Sequence, residues 1–186
     1  MWMNLEKIAN LKYVVRSGWV IRGVPNSVAE TVAAHTFEVM LISMYLADGL
    51  RRRCADVDVE KVMKMSLLHD VPEVMVGDVV KLVKARAPEL FTKIELEVAQ
   101  QLNLSSYVDL LDDLSKGLTL EARIVKLSDV LATYLQGIRY LKTGYEDVEE
   151  IVLNSKTTIE EMINSWLPEG CKPLLKNMLS NIDVTL

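Results

Sequence analysis

Apolar residues recur at spacings of three and four along almost the whole chain, and no run alternates with period two between turn residues. That spacing gives a helix one buried stripe and leaves no segment suited to a half-buried strand, so it predicts an all-α fold. Glycine and proline fall where the periodic segments end, at Gly23-Val24-Pro25-Asn26, Pro72, Gly77-Asp78, Gly117, Gly144 and Pro168-Glu169-Gly170. The segments between them predict helices over 4–14, 27–50, 58–70, 72–86, 88–102, 105–116, 119–142, 145–166 and 171–181. Asp58 and Thr119 stand where N-caps belong. The 119–142 helix carries Ile124, Leu127, Leu131, Tyr134 and Ile138 on one stripe, which predicts a path through the core. Arg51-Arg52-Arg53 closes the second long helix, where positive charge complements the helix dipole; phosphate binding is the other reading of that run.

A length of 186 residues with 50% apolar content suffices for one domain with a sizeable core, and no repeat or composition break marks a second. With 21 Lys and Arg against 26 Asp and Glu, the net charge of −5 offers no cationic surface for a nucleic-acid polymer. The mean hydropathy of +0.17 raises the question of a membrane, but the longest apolar stretch, Val39 to Ala47, is too short to span one. The first residues, Met1 to Lys7, lack a basic region followed by an apolar core, which predicts an intracellular, cytoplasmic protein. Cys54 and Cys171 are far apart and form no CxxC pair, so they are expected as ordinary buried or half-buried thiols, neither a disulfide nor a thiolate metal site.

The chain has two histidines, and each sits in an apolar context. His35 has Val32, Val39 and Ile42 as helical neighbours, and His69 ends the run Val62 to Leu68 with Asp70 directly after it. Each could be a core histidine with a backbone hydrogen bond, and a His-Asp dipeptide arises readily by chance. Asp129 changes the balance, because it lies inside the 119–142 helix between Val125 and Ala132. A buried carboxylate without a partner is costly, and a divalent cation shared by His35, His69, Asp70 and Asp129 would remove that cost. Two nitrogen and two oxygen donors leave coordination positions open for water and a substrate oxygen, which suits hydrolysis.

His35, then His69-Asp70, then Asp129, in that order, resembles the HD-domain superfamily of metal-dependent phosphohydrolases. Arg16-Ser17-Gly18-Trp19-Val20-Ile21-Arg22-Gly23-Val24, Glu30-Thr31-Val32-Ala33-Ala34-His35, Leu68-His69-Asp70-Val71-Pro72-Glu73 and Gly77-Asp78 look like its 5′-deoxynucleotidase branch, over roughly residues 5 to 142. The resemblance implies a single all-α HD-domain helical bundle over 1–186, with the metal site within 16–142 and the helices of 145–186 completing the core or a dimer surface. It implies that Glu73 assists proton transfer, that Arg16 and Trp19 hold the nucleotide, and that Asp78 contacts the deoxyribose side. Each residue has a plainer reading. Glu73 would be a carboxylate at a helix start after Pro72, Arg16 and Trp19 a surface arginine beside a core-edge tryptophan, and Asp78 a cap for the next helix. Arg22 and Lys126 could add positive charge near the phosphate. Ala34 replaces the acidic residue that this branch usually carries before the first histidine, the stretch from Arg22 to Glu30 is longer than usual, and Lys126-Leu127-Ser128-Asp129 has serine where alanine is common.

The implied reaction is hydrolysis of a deoxynucleoside 5′-monophosphate to nucleoside and phosphate. It needs one divalent cation, with Co or Mn favoured by the resemblance and Fe, Ni, Zn or Mg compatible with the donors. The implied partners are a small-molecule nucleotide and a second copy of the chain in a homodimer, with no nucleic-acid polymer and no membrane. Two other readings remain at this level: an HD hydrolase acting on a triphosphate or signalling nucleotide, and a non-catalytic helical module braced by metal. Two-metal HD phosphodiesterases need more histidines than this chain has.

Overall fold

A computed structural model describes residues 4–166 and 168–180. The final residue of the expected 171–181 helix and the first three of the N-terminal stretch lie outside the described residues. The helices are α1 (Leu5–Ile8), α2 (Ser17–Ile21), α3 (Val32–Arg53), α4 (Val59–Leu68), α5 (Glu73–Val76), α6 (Lys81–Lys84), α7 (Pro88–Gln101), α8 (Val108–Lys116), α9 (Leu120–Lys142), α10 (Glu149–Trp166) and α11 (Lys172–Ser180). Among the described residues there is no strand, only one antiparallel bridge between Val15 and Thr31.

The long helix α9 forms the axis. Ala122, Ile124, Val125, Leu127, Val130, Leu131 and Ala132 are all buried, on a helix that packs against α3, α4, α8 and α10 at once. Its N-cap is Thr119, whose hydroxyl accepts from the Ala122 N–H at 3.3 Å, and Asp58 caps α4 in the same way from the Lys61 N–H at 3.0 Å. Close approach of α10 to α9 depends on Gly137, where a Cβ would lie 2.5 Å from Val152 Cγ2 and 3.4 Å from the Trp19 ring. A second apolar cluster joins Leu11, Val32, Leu68, Val71, Val98 and Leu102 beneath α7.

Several expected helices differ in their bounds, for local reasons. The 27–50 helix begins at Val32, because the backbone of Val14 to Arg16 pairs with Glu30 to Val32 and Thr31 caps α3 from the Ala34 N–H. The 4–14 helix tightens into a 3-10 turn at Ala9–Lys12, and Trp19 falls on the separate helix α2, with Arg16 as the extended residue just before it. The 72–86 helix is broken at Gly77, whose φ of +76° ends α5, and resumes as α6.

Cys54 and Cys171 are joined as a disulfide, with Cα atoms 5.5 Å apart, which corrects the expectation of separate thiols. Their distance in sequence does not carry into space, since Cys54 ends α3 and α11 folds back onto that helix. The bridge closes a loop of 117 residues, and the loss of unfolded-chain entropy in such a bridge typically stabilises by about 2–4 kcal/mol. Reduction, or replacement of both cysteines by serine, is therefore expected to lower the melting temperature by about 5–15 °C. Thermal melts with and without reductant check this, and equal melting temperatures would show that the bridge closes no entropic loop.

Candidate metal centre

Three helices deliver the metal-ligand candidates to one point. His35 lies one turn into α3, His69 ends α4, and Asp129 sits midway along α9. One donor atom from each of His35, His69 and Asp129 lies within 4.8 Å of the others. His35 Nε2 is 2.9 Å from Asp129 Oδ1. The His69 Nδ1–H donates to the Ser66 carbonyl at 2.7 Å, which leaves the Nε2 lone pair on the side of the cluster. His69 Nε2 is buried and makes no well-aligned hydrogen bond among the described residues, so the neutral imidazole would offer its lone pair there to a cation. Asp70, the fourth candidate, stands beside this trio, with Oδ2 3.2 Å from His69 Nε2 and 3.0 Å from Arg16 Nη1. The mixed imidazole and carboxylate set thus fits a divalent cation.

The electrostatics favour positive charge at this point. Burial pulls the His69 pKa down, but the Asp70 and Asp129 carboxylates reverse this and carry it to about 9. His35 is likewise raised, with Asp129 and Glu30 outweighing burial and the Arg16 charge. Asp70 and Asp129 are held well below the usual carboxylate range despite burial, Asp70 chiefly by His69 and Arg16 and Asp129 by Lys81, His35 and Arg16.

Arg16 is half-buried within this set, 3.0 Å from Asp70 and 3.9 Å from both Asp78 and Asp129, with Nη2 donating to Thr133 Oγ1 at 3.4 Å. Its pKa is raised, since these carboxylates and Glu73 outweigh burial. Asp78 also accepts from the Ser17 N–H at 2.6 Å, and its carbonyl accepts from the Ser17 hydroxyl at 2.6 Å. It therefore caps α2 rather than the helix that follows it. Trp19 is 2% exposed, stacked edge-on against Tyr140 with ring centroids 5.2 Å apart. Its indole N–H donates to Glu30 Oε2 at 3.0 Å. The structure thus packs Trp19 in the core, where its indole N–H finds a partner.

Glu73, the first residue of α5, is 3% exposed. Burial and the neighbouring Asp70 charge push its pKa up to about 8, against the opposing pull of Lys84. Its Oε1 accepts from Lys84 Nζ at 3.1 Å, and its Oε2 is buried without a partner among the described residues. A cavity of about 410 Å³ opens at the cluster, with His69, Asp70 and Asp129 in its wall. Lys84 from α6, Phe91 and Glu95 from α7, and Lys126 from α9 line it further out. Lys126 donates to the Ser115 carbonyl at 2.7 Å, and burial lowers its pKa. Arg22 pairs with Glu150 at 2.7 Å and takes no part in this cavity wall.

The HD-domain family profile matches residues 8–169. The chain belongs to the HD-domain family. It is 26% identical over 181 residues to the 5′-deoxynucleotidase HDDC2 of Dictyostelium discoideum, covering 93% of this chain and 91% of that protein. It is 23% identical to the 5′-deoxynucleotidase hdd1 of Schizosaccharomyces pombe, over 88% of this chain and 84% of the relative. Among solved structures it is similar to a conserved hypothetical protein from Pyrococcus furiosus, with a TM-score of 0.81, 28% identity and 97% of each chain covered. The same HD-domain fold recurs in the cyanophage S-2L phosphohydrolase DatZ bound to dA and one catalytic Zn2+ ion, at a TM-score of 0.63 and 19% identity over 97% of this chain and 96% of that one.

Sequence reasoning gave no role to Glu30, although it stands within a motif segment five residues before His35. In the HD-domain structure Glu30 Oε1 lies 3.7 Å from His35 Nδ1, while Trp19 holds its other oxygen and the Glu30 N–H donates to the Tyr140 hydroxyl at 2.7 Å. Glu30 thus stands behind His35 where Ala34 supplies no carboxylate. Glu30→Ala is expected to weaken divalent-metal affinity about 10–100-fold through loss of imidazole orientation. Calorimetric titration of metal-stripped protein measures this, and an unchanged Kd would remove Glu30 from the support of His35.

Proposed function

We propose that this protein is a metal-dependent 5′-deoxynucleotidase that converts deoxynucleoside 5′-monophosphates to nucleosides and inorganic phosphate. The observation that carries the reading is the gathering of His35, His69 and Asp129 within one small cluster, with His69, Asp70 and Asp129 in the wall of a cavity and a buried carboxyl of raised pKa, Glu73, three residues after Asp70. Two relatives matched over more than four-fifths of this chain carry that activity in their names.

His35, His69, Asp70 and Asp129 would hold one divalent cation. When bound, it supplies the positive charge that draws in the phosphoryl group and makes water more acidic. Arg16 keeps Asp70 and Asp129 ionised and in place, and its guanidinium adds charge near the phosphoryl oxygens. Asp78 fixes the start of α2, and hence Arg16, on the side where the deoxyribose would lie. Trp19 acts from the core by holding Glu30. Glu73, protonated near neutral pH, donates its proton to the leaving O5′. Cobalt and manganese are the cations we favour. The cytoplasm and a homodimer are the setting we favour for an enzyme of a small nucleotide, and no described helix is long and apolar enough to cross a membrane.

Metal-stripped protein given a panel of deoxy- and ribonucleoside 5′-monophosphates and triphosphates is expected to release phosphate from the deoxynucleoside monophosphates only after Co or Mn is restored. Asp129→Ala is expected to abolish release. Release from triphosphates alone would move the assignment to another HD hydrolase, and no release from any substrate would leave a metal-braced helical module.

Glu73→Gln removes the transferable proton while keeping the shape. It is expected to lower kcat about 10²–10⁴-fold with little change in KM. Steady-state kinetics in which kcat survives would assign Glu73 a structural role.

A further inference from the structure

Pro88, Phe91, Thr92, Glu95 and Leu96 recur along α7 at spacings of three and four, which puts them on one face of that helix. The same face continues into Val98 and Ala99, which are buried with Leu102 in the apolar cluster beneath the helix. Over its first turns that protein cover is missing. All five residues there line the cavity of about 410 Å³ whose wall also holds His69, Asp70 and Asp129. Phe91 is half-buried and stands outside the cluster that takes up Val98 and Ala99. Leu111 and Leu114 of α8, which packs against both α7 and α9, carry the apolar wall on toward Asp129. An apolar helix face that opens on a cavity beside charged groups suits a ligand with a flat apolar body and an anionic end.

Glu95 adds a polar reader to this face. It lies one turn after Phe91 on the same side of α7, and its Oε1 accepts from Lys84 Nζ at 3.0 Å. The ion pair fixes where the carboxylate stands without exhausting it, because an ionised carboxylate offers about four lone-pair sites and donates nothing. Such an acceptor matches a base that carries an amino group, as adenine, cytosine and guanine do. It meets thymine at a carbonyl oxygen, which repels it.

We propose that the first turns of α7 form a base subsite, in which Phe91 stacks on the nucleotide base and Glu95 accepts from its exocyclic amino group. Stacking serves every base, whereas the contact with Glu95 favours adenine, cytosine and guanine nucleotides over thymine nucleotides. The inference rests on the nucleotidase reading, which puts the phosphate at the other part of the wall, and it names the base class that the reading leaves open.

The test compares deoxycytidine 5′-monophosphate, thymidine 5′-monophosphate and 2-deoxyribose 5-phosphate, which has no base, as substrates of the cobalt-loaded protein. The unmodified protein is expected to favour the cytidine over the thymidine ester about 5–50-fold in kcat/KM, and Glu95→Gln, which keeps an oxygen for Lys84, to bring that ratio below about 3-fold. Phe91→Ala is expected to raise KM for the cytidine ester about 5–50-fold with kcat little changed, and Phe91→Trp to restore it. Phe91→Leu keeps apolar bulk without a ring and is expected to lose most of the same affinity, which covers the case of an alanine variant that does not fold. These losses are expected to be confined to substrates that carry a base. Calorimetric titration of the metal-stripped protein with deoxycytidine and thymidine, which have no phosphate, is expected to show the same preference and the same dependence on Phe91.

Equal losses on the base-free ester would overturn the proposal in favour of a structural role for α7. Equal kcat/KM for the two nucleotides in the unmodified protein, or a deoxycytidine Kd that Phe91→Leu leaves unchanged, would overturn it as well. Failure of the unmodified protein to release phosphate from any substrate would overturn the nucleotidase reading instead. The subsite would then stand if deoxycytidine binds and Phe91→Leu weakens it, and fall if deoxycytidine does not bind.

Discussion

Half-buried charge around Arg16 is the constraint on which the site and much of its surroundings depend. Asp70 comes from the turn after α4, Asp78 from the link between α5 and α6, and Asp129 from the axis of the bundle, and all three lie within 3.9 Å of one guanidinium. A carboxylate taken out of water without a partner is strongly destabilising, so these elements can meet here only with a cation among them. Arginine suits the position because its planar fork offers five donors and stays charged when buried. Charge balance and chain geometry are thus one interaction, since Asp78 also fixes the start of α2 that carries Arg16.

One positive group does not neutralise this set, and the two histidines show how the remainder is met. Both imidazoles are raised in pKa by the carboxylates around them despite complete or nearly complete burial. The same field that holds a proton there would hold a divalent cation in its place, with metal and proton competing for the nitrogens. A few residues away the environment acts in the opposite sense. Asp70 is held well below its usual range by cations, while Glu73, three residues later, is pushed up to about 8 by burial and by Asp70 itself. Two neighbouring carboxyl groups with pKa values driven apart are what a metal ligand and a proton donor require.

The helical periodicity, the caps at Asp58 and Thr119 and the axial course of α9 were legible because each depends on residues close in sequence. His35, His69 and Asp129 were legible for a different reason: polar groups on apolar helical faces require one another, whatever their separation. Trp19 shows the limit of that reasoning. An indole near the site needs a partner for its N–H, and nothing in the sequence says that Glu30 supplies it. The Cys54–Cys171 bridge was hidden for a similar reason, since nothing in the sequence says that α11 returns to the end of α3. Lys84 and Glu95 carry no local signal at all, as a lysine and a glutamate eleven residues apart on different helices read as ordinary solvated charges.

The break at Gly77 connects these observations. Had residues 72–86 formed one helix, Glu73 and Lys84 would be separated by three turns, about 16 Å along the axis, far beyond the reach of a lysine side chain. They are instead 3.1 Å apart, because Gly77 takes a φ of +76° and turns the chain before α6 begins. The same turn brings Asp78 back to the Ser17 N–H, which a continuing helix would have kept at a distance. A side chain at position 77 would find open space around its Cβ yet strain the backbone, so glycine is required there by conformation and not by packing. Sequence periodicity favours the unbroken helix, and the departure from it is what allows one short segment to serve Arg16 through Asp78 and Glu73 through Lys84 at the same time.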